Sequence, residues 1–183
     1  MDRFMFKIIV KNPSLDELMG IVNMTQKTMA EVADAVCDGE QLLEMRKTAN
    51  QIPVAEEVLR YAMTLCSATH PDSDCASAAA KKYVRLGASP RAGQALISAA
   101  RVRALMLGRF NVSYSDLNVL AYPVLRHRMK LTFEAIAERI SPDEIIMMII
   151  NELNGKKFTP VKATPAENPV QEEEKTEQAA EEN

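Results

Sequence analysis

Gly87-Ala88-Ser89-Pro90-Arg91-Ala92 opens a helical pattern that runs to about Leu107, and the rest of the chain must be arranged around it. Glycine permits a tight turn, and serine is a favoured N-cap residue. Proline suits the first helical position, where its missing N–H has no partner to lose. Beyond this start, Arg91, Gln94, Ser98 and Arg101 recur at steps of three and four and so share one polar face. Ala92, Ala95, Leu96, Ala99, Val102 and Met106 supply the apolar side, whose small alanines let another helix come close, and Gly108 ends the pattern. Arg91 falls in the first turn, beside the positive end of the helix dipole. A cation there makes sense if an anion, commonly a phosphate, is shared between the two. The alternative is a solvated arginine whose stem covers apolar surface.

The flanking segments also read as helices, as expected of a chain rich in Ala, Leu, Ile and Met with no Trp and 5% aromatics. Ser14-Leu15-Asp16-Glu17 is a capping box opening a helix over 14–24. Further helices are predicted from about Asp38 to Gln51 and from Val54 to Ala68, the latter with Val58, Leu59, Ala62, Leu65 and Cys66 on its apolar side. His70 to Ala76 reads as a loop and Ala78 to Arg85 as a short helix or irregular lead-in. Ser113 to Asp116 starts a helix through about Tyr122, which Pro123 either kinks or restarts, and 131–133 reads as briefly extended. Ser141-Pro142-Asp143-Glu144 starts the last helix, which ends at Asn154-Gly155. Met5 to Val10 is the exception, a short buried strand closed by Asn12-Pro13. One strand cannot bury its faces alone, and no other segment offers a clear partner.

The net charge of −3 conceals a partition. Residues 81–130 hold 10 Lys/Arg against the single acid Asp116, whereas residues 1–80 hold 7 against 12 and residues 131–183 hold 5 against 12. Such a block attracts polyanions, whether a nucleotide, a nucleic acid or an acidic protein surface. Cys37, Cys66 and Cys75 lack CxxC spacing, which argues against a disulfide framework or zinc site and for a reducing, cytoplasmic setting. No apolar run is long enough to span a bilayer. His70 and His127 lack metal-ligand spacing, so no metal ligand is assigned. The phosphate-loop pattern G-x-x-x-x-G-K-[ST] and any Ser/His/Asp or Cys/His catalytic signature are missing from the 183 residues.

Tyr83 to Met129, containing G-A-S-P-R-A and V-L-R-H-R in order, resembles the C-terminal helical lid of MoxR-type AAA+ ATPases. The likeness continues through Phe133 to Ile146, and Asp2-Arg3-Phe4 with Asn12-Pro13-Ser14 resembles the end of that family's nucleotide-binding core. With the Ile52-Pro53-Val54 entry it spans about Asp2 to Leu153. The resemblance implies that Arg91 is the sensor-two arginine, which reaches the nucleotide phosphates with Ser89 beside it. It also implies that Arg3 is the arginine finger, directed at a neighbouring subunit's nucleotide. From the residues alone, Arg3 could equally pair with Asp2. Met1 stands where the family usually has leucine, and Thr69-His70 stands where relatives often have Thr-Arg.

The expected fold is mainly α: a helical-bundle AAA+ lid (36–155) preceded by a remnant strand (5–10) and helix (14–24) of the α/β core (1–35), with a disordered acidic tail (156–183). The phosphate loop, Mg²⁺-binding acids and sensor-one residue of the family precede D-R-F, so the chain is expected to be the C-terminal part of such an ATPase, inactive alone. ATP with Mg²⁺ would be used by the intact protein. The resemblance further implies a homo-oligomeric ring, usually of six, chaperone-like work, and a partner bearing a von Willebrand A domain. Two other readings stand beside it. One is a stand-alone helical interaction or regulatory module. The other is a helix-turn-helix nucleic-acid binder, against which the apolar Leu117, Val119, Leu120 and Val124 count at the would-be reading helix. Arg126 and Arg128 are expected to tie lid helices together through acids such as Glu134 or Glu138, and Arg101 to be solvated or intersubunit.

Overall fold

The computed structural model describes residues 2–25 and 34–155. The acidic-tail expectation, and residues 26–33 of the expected core remnant, lie outside the described residues. The elements are α1 (Leu15–Thr25), α2 (Gly39–Gln51), α3 (Glu56–Ser67), α4 (Ala78–Tyr83), β1 (Val84–Leu86), α5 (Pro90–Met106), α6 (Tyr114–Leu125), β2 (Lys130–Leu131), α7 (Phe133–Ala137) and α8 (Pro142–Asn154).

The start signals act as the side-chain chemistry requires. Ser14 Oγ accepts the Glu17 amide while Glu17 accepts the Ser14 amide, Asp38 and Gln41 do the same for α2, and Ser141 and Glu144 for α8. Each satisfies amides that the first turn leaves without intrahelical partners. Gly155 closes α8 with a left-handed φ of 59°. Pro123 lies inside α6, which continues to Leu125.

α5 is the central helix and packs against α2, α3 and α6. Its buried face runs Ala92, Leu96, Ala100 and Ala104, all fully buried, in steps of four. Val102 and Met106, expected on that face, are exposed, because the buried stripe drifts to Ala100 and Ala104 along the helix. Leu65 of α3, Leu117 and Leu125 of α6, and Ile145, Ile146, Ile149 and Ile150 of α8 fill the rest of the core. Each such side chain contributes about 1.5–3 kcal/mol on burial. Leu59 of α3 faces out.

The G-A-S loop reaches α5 by a close approach rather than a special backbone angle. Only Gly108 and Gly155 have positive φ among the described glycines. A Cβ on Gly87 would instead lie 2.8 Å from the His70 backbone nitrogen and 2.6 Å from its ring Cγ. Thr69 Oγ1 accepts the Ala88 amide at 2.9 Å and donates to Cys66 O at 2.6 Å. The His70 ring Nε2 lies 2.8 Å from Ala88 O. The Thr69-His70 pair thus seats the loop on the end of α3.

Two sequence expectations are corrected. Residues 5–10 form no strand; with no second strand at hand, only the Lys7 amide makes a backbone bond across to another element, to Pro123 O at 2.9 Å. The two-stranded antiparallel sheet that does form pairs β1 with β2, Val84 opposite Leu131. Residues 4–10 and α1 carry no buried side chain, and Phe4, Ile8, Ile9, Val10, Leu15 and Met24 are largely exposed.

The α5–α6 connection is held by Asp116, which is fully buried. Arg109 donates to both its oxygens at 2.9 and 2.6 Å, and the Ser113 amide and hydroxyl add bonds at 2.9 and 2.8 Å. Arg103 Nε makes an ion pair at 3.2 Å. Burial raises the Asp116 carboxyl, but the Arg109 and Ser113 bonds outweigh it and hold the group below its ordinary value. A carboxyl depressed in the fold contributes stability that is present above its unfolded value and lost as pH falls through the folded one. Denaturant unfolding should therefore show stability dropping below about pH 4, with a shallower drop in Asp116→Asn. Gly87→Ala should cost about 1–3 kcal/mol because the loop must move off the His70 backbone. Gly20→Ala, with open space around it, should instead be neutral or favourable by about 0.5–1 kcal/mol in the same measurement.

Candidate functional site

The site is a cavity of about 240 Å³ lined by Asp2, Arg3, Met5, Arg91, Gln94, Ala95, Ser98 and Arg128. α5 supplies one wall, and the predicted polar face of Arg91, Gln94 and Ser98 is the surface it presents there. The N-terminal segment and the end of α6 supply the other.

Ser89 is the residue before α5, with the extended backbone of an N-cap, but its side chain does not cap. Its hydroxyl donates instead to both carboxylate oxygens of Asp2, at 2.9 Å each. Arg91 Nη1 lies 3.4 Å from the same carboxylate, and the Arg91 side chain is 59% exposed. Arg3 is exposed and lines the cavity, so its pairing with Asp2 is replaced by Ser89, Arg91 and Arg128. The Ser89 bond leads the forces that hold the Asp2 carboxyl below the usual carboxylate range, opposed by desolvation and aided by Arg91 and Arg128. Arg3 is thus brought near Ser89 and Arg91, which lie 86 and 88 positions further along the chain.

What brings them together was not assigned from sequence. Arg128, with a side chain only 2% exposed, donates through Nε to Asp2 O, through Nη1 to Met5 O and Val124 O, and through Nη2 to Asp2 O and Phe4 O, at 2.7–3.3 Å. Those bonds use the full set of five guanidinium N–H groups. His127 Nε2 lies 2.9 Å from Phe4 O, and Arg126 Nη1 donates to Lys7 O at 3.2 Å. Three consecutive side chains therefore grip the backbone of residues 2–7. The sequence signal was the R-H-R run itself, a cluster of donors after a helix, but nothing local said that its acceptors are carbonyls over a hundred residues away.

The expected acids are also replaced. Arg126 pairs with Asp143 of α8 at 3.0 Å and so does join two helices, whereas Arg128 joins Asp2. Glu134 and Glu138 are taken by Lys82, at 3.3 and 3.2 Å, because α7 packs beside α4. Lys82, Arg91, Arg103, Arg109, Arg126 and Arg128 of the basic block all face acids of this chain, so six of its ten cations are paired within the fold. Arg101 is half-buried, its Nε without a partner among the described residues. Among the described residues no His/Cys/Asp/Glu group could hold a metal ion, and no helix is long and apolar enough to cross a membrane. Burial pushes the Cys66 thiol up to about 12, which keeps it unreactive.

Arg128→Ala removes these bonds and leaves the carbonyls of Asp2, Phe4 and Met5 without their shared donor. It should lower stability by about 2–4 kcal/mol, and hydrogen exchange should show the Lys7 amide losing its protection even where the helices keep theirs.

Residues 76–149 match the AAA lid domain family. The chain is 34% identical over 149 residues to Chaperone MoxR1 of Mycobacterium tuberculosis, covering 81% of this chain and 39% of that protein. It is 29% identical over 154 residues to the uncharacterized protein YeaC of Bacillus subtilis, covering 82% and 45%. A crystal structure of a candidate ATPase from Cytophaga hutchinsonii superposes with a TM-score of 0.72 at 28% identity, over 82% of this chain and 46% of that one. The chain spans less than half the length of these relatives. With its helical bundle, its matched lid segment and its likeness to MoxR1 across most of its residues, the chain is a MoxR-like AAA+ sequence built on an AAA lid domain.

Proposed function

We propose that this chain serves as the lid-bearing part of a MoxR-type ATPase, in which Arg91 and Ser89 bind nucleotide phosphates and Arg3 acts as the arginine finger. The observation that carries the reading is the placement of Arg91: an exposed guanidinium lining the cavity at the start of a 17-residue helix, where it shares the Asp2 carboxylate with the Ser89 hydroxyl. A guanidinium and a hydroxyl beside a helix N-terminus suit a phosphate, since dipole and cation attract the same anion. The donor set therefore fits the phosphate half of Mg-ATP, while no acid cluster for the ion occurs among the described residues. In this reading the phosphate loop and Mg²⁺-binding acids are supplied by sequence beyond these 183 residues.

Arg3 is exposed and makes no ion pair with an acid among the described residues, as a finger that must reach another subunit's nucleotide requires. Arg128, fully engaged with the chain itself, positions rather than reacts. The family resemblance extends the proposal to a ring, usually of six subunits, to chaperone-like work on target proteins in the cytoplasm, and to a partner bearing a von Willebrand A domain. The relative named Chaperone MoxR1 supports the chaperone element. The internal pairing of the basic block weighs against the nucleic-acid reading.

The test is reconstitution. The purified chain should show no ATP turnover, and turnover should appear when a nucleotide-binding part from a MoxR-type relative is supplied. In that assembly Arg3→Ala should reduce the rate by about a thousandfold, the scale of a lost arginine finger. Robust hydrolysis by the chain alone, or an Arg3→Ala assembly as fast as the parent, would contradict the reading.

A further inference from the structure

The place where a phosphate would meet Ser89 and Arg91 already holds an anion, the carboxylate of Asp2. Ser89 Oγ donates to both its oxygens at 2.9 Å, Arg91 Nη1 stands 3.4 Å from one, and Arg128 Nε stands 3.4 Å from the other. The group sits by the start of α5, where negative charge is favoured. It is delivered there by the backbone, because Arg128 binds the Asp2 carbonyl through two nitrogens independently of the side-chain charge. The carboxylate is only partly covered, its side chain 35% exposed, so it can leave while the main chain stays docked.

We propose that Asp2 is a built-in stand-in for phosphate: without a bound anion its carboxylate occupies Ser89 and neutralises Arg91, and an incoming polyphosphate displaces it. The inference rests on the reading that Ser89 and Arg91 take phosphate oxygens. It adds that the site is competitively masked by its own chain. It also gives the masking a direction. Asp2 and Arg3 are consecutive, so exchange of the carboxylate for phosphate changes the surroundings of the finger residue, and occupancy of one arginine is felt at the other. The carboxylate also offsets the repulsion between the exposed Arg3 and Arg91 and the helix N-terminus.

The experiment titrates the full 183-residue chain with inorganic tripolyphosphate by calorimetry at fixed ionic strength. It compares the parent with Asp2→Asn, Asp2→Ser, Arg91→Ala and the Asp2→Asn/Arg91→Ala pair, with circular dichroism confirming equal helix content. Removing one like charge from a half-exposed site should tighten binding by about tenfold in both Asp2 variants. Arg91→Ala should weaken it, and the pair should lose the gain. If Arg91→Ala weakens binding but the Asp2 variants bind no tighter than the parent, the masking is overturned and the phosphate reading of Arg91 survives. If Arg91→Ala binds as well as the parent, the phosphate reading fails and the masking with it. Absence of binding in every protein likewise overturns the proposal.

Discussion

Arg128 carries a charge into the interior, and the N-terminal half of the site depends on how that charge is satisfied. Moving a guanidinium out of water costs several kcal/mol unless its donors find acceptors. Here the acceptors are carbonyls, one from the end of α6 and the others from residues 2–5. Backbone acceptors are indifferent to side-chain identity, so the clamp fixes the path of the segment and leaves Asp2 and Arg3 free to project toward α5. A carboxylate partner alone would have fixed a side chain and let the path vary.

The opposite wall depends on close packing. Ala92, Ala100 and Ala104 bring neighbouring helices up to α5, and Gly93 leaves room for Met63, whose Cε would lie 2.5 Å from an added Cβ. Thr69 and His70 then pin the loop that aims Ser89 and Arg91. The His70 ring Nε2 donates to the Ala88 carbonyl within the fold rather than facing the cavity. Small residues in the helix and a polar latch on the loop thus set one position, the mouth of α5.

Most of the helices were legible because their start signals are local. Ser14 with Glu17 and Ser141 with Glu144 need only three residues to form, and they formed as read. Ser89 shows the limit of that logic: it has the sequence of a cap, yet a carboxylate 87 positions away takes its hydroxyl. The strand read at 5–10 failed for a related reason, since apolar residues can pattern a strand but only a second strand makes one. Gly87 reads from sequence as a residue that permits a tight turn, whereas the structure needs it for the approach to His70. The positions of Arg3 and Arg91 came from motif resemblance, and their proximity came only from the fold, because Arg128 acts across 124 residues.

The Arg126–Arg128 run holds residues 2–5 against α5 so that Arg3 and Arg91 share a cavity. Proton–proton contacts in the solution NMR spectrum of the chain test this arrangement most directly. Contacts from Asp2, Arg3 and Met5 to Ser89, Gln94 and Ser98, with residues 2–7 as ordered as the helices, are the predicted result. A segment 2–7 that tumbles freely and shows no contact to α5 would contradict it.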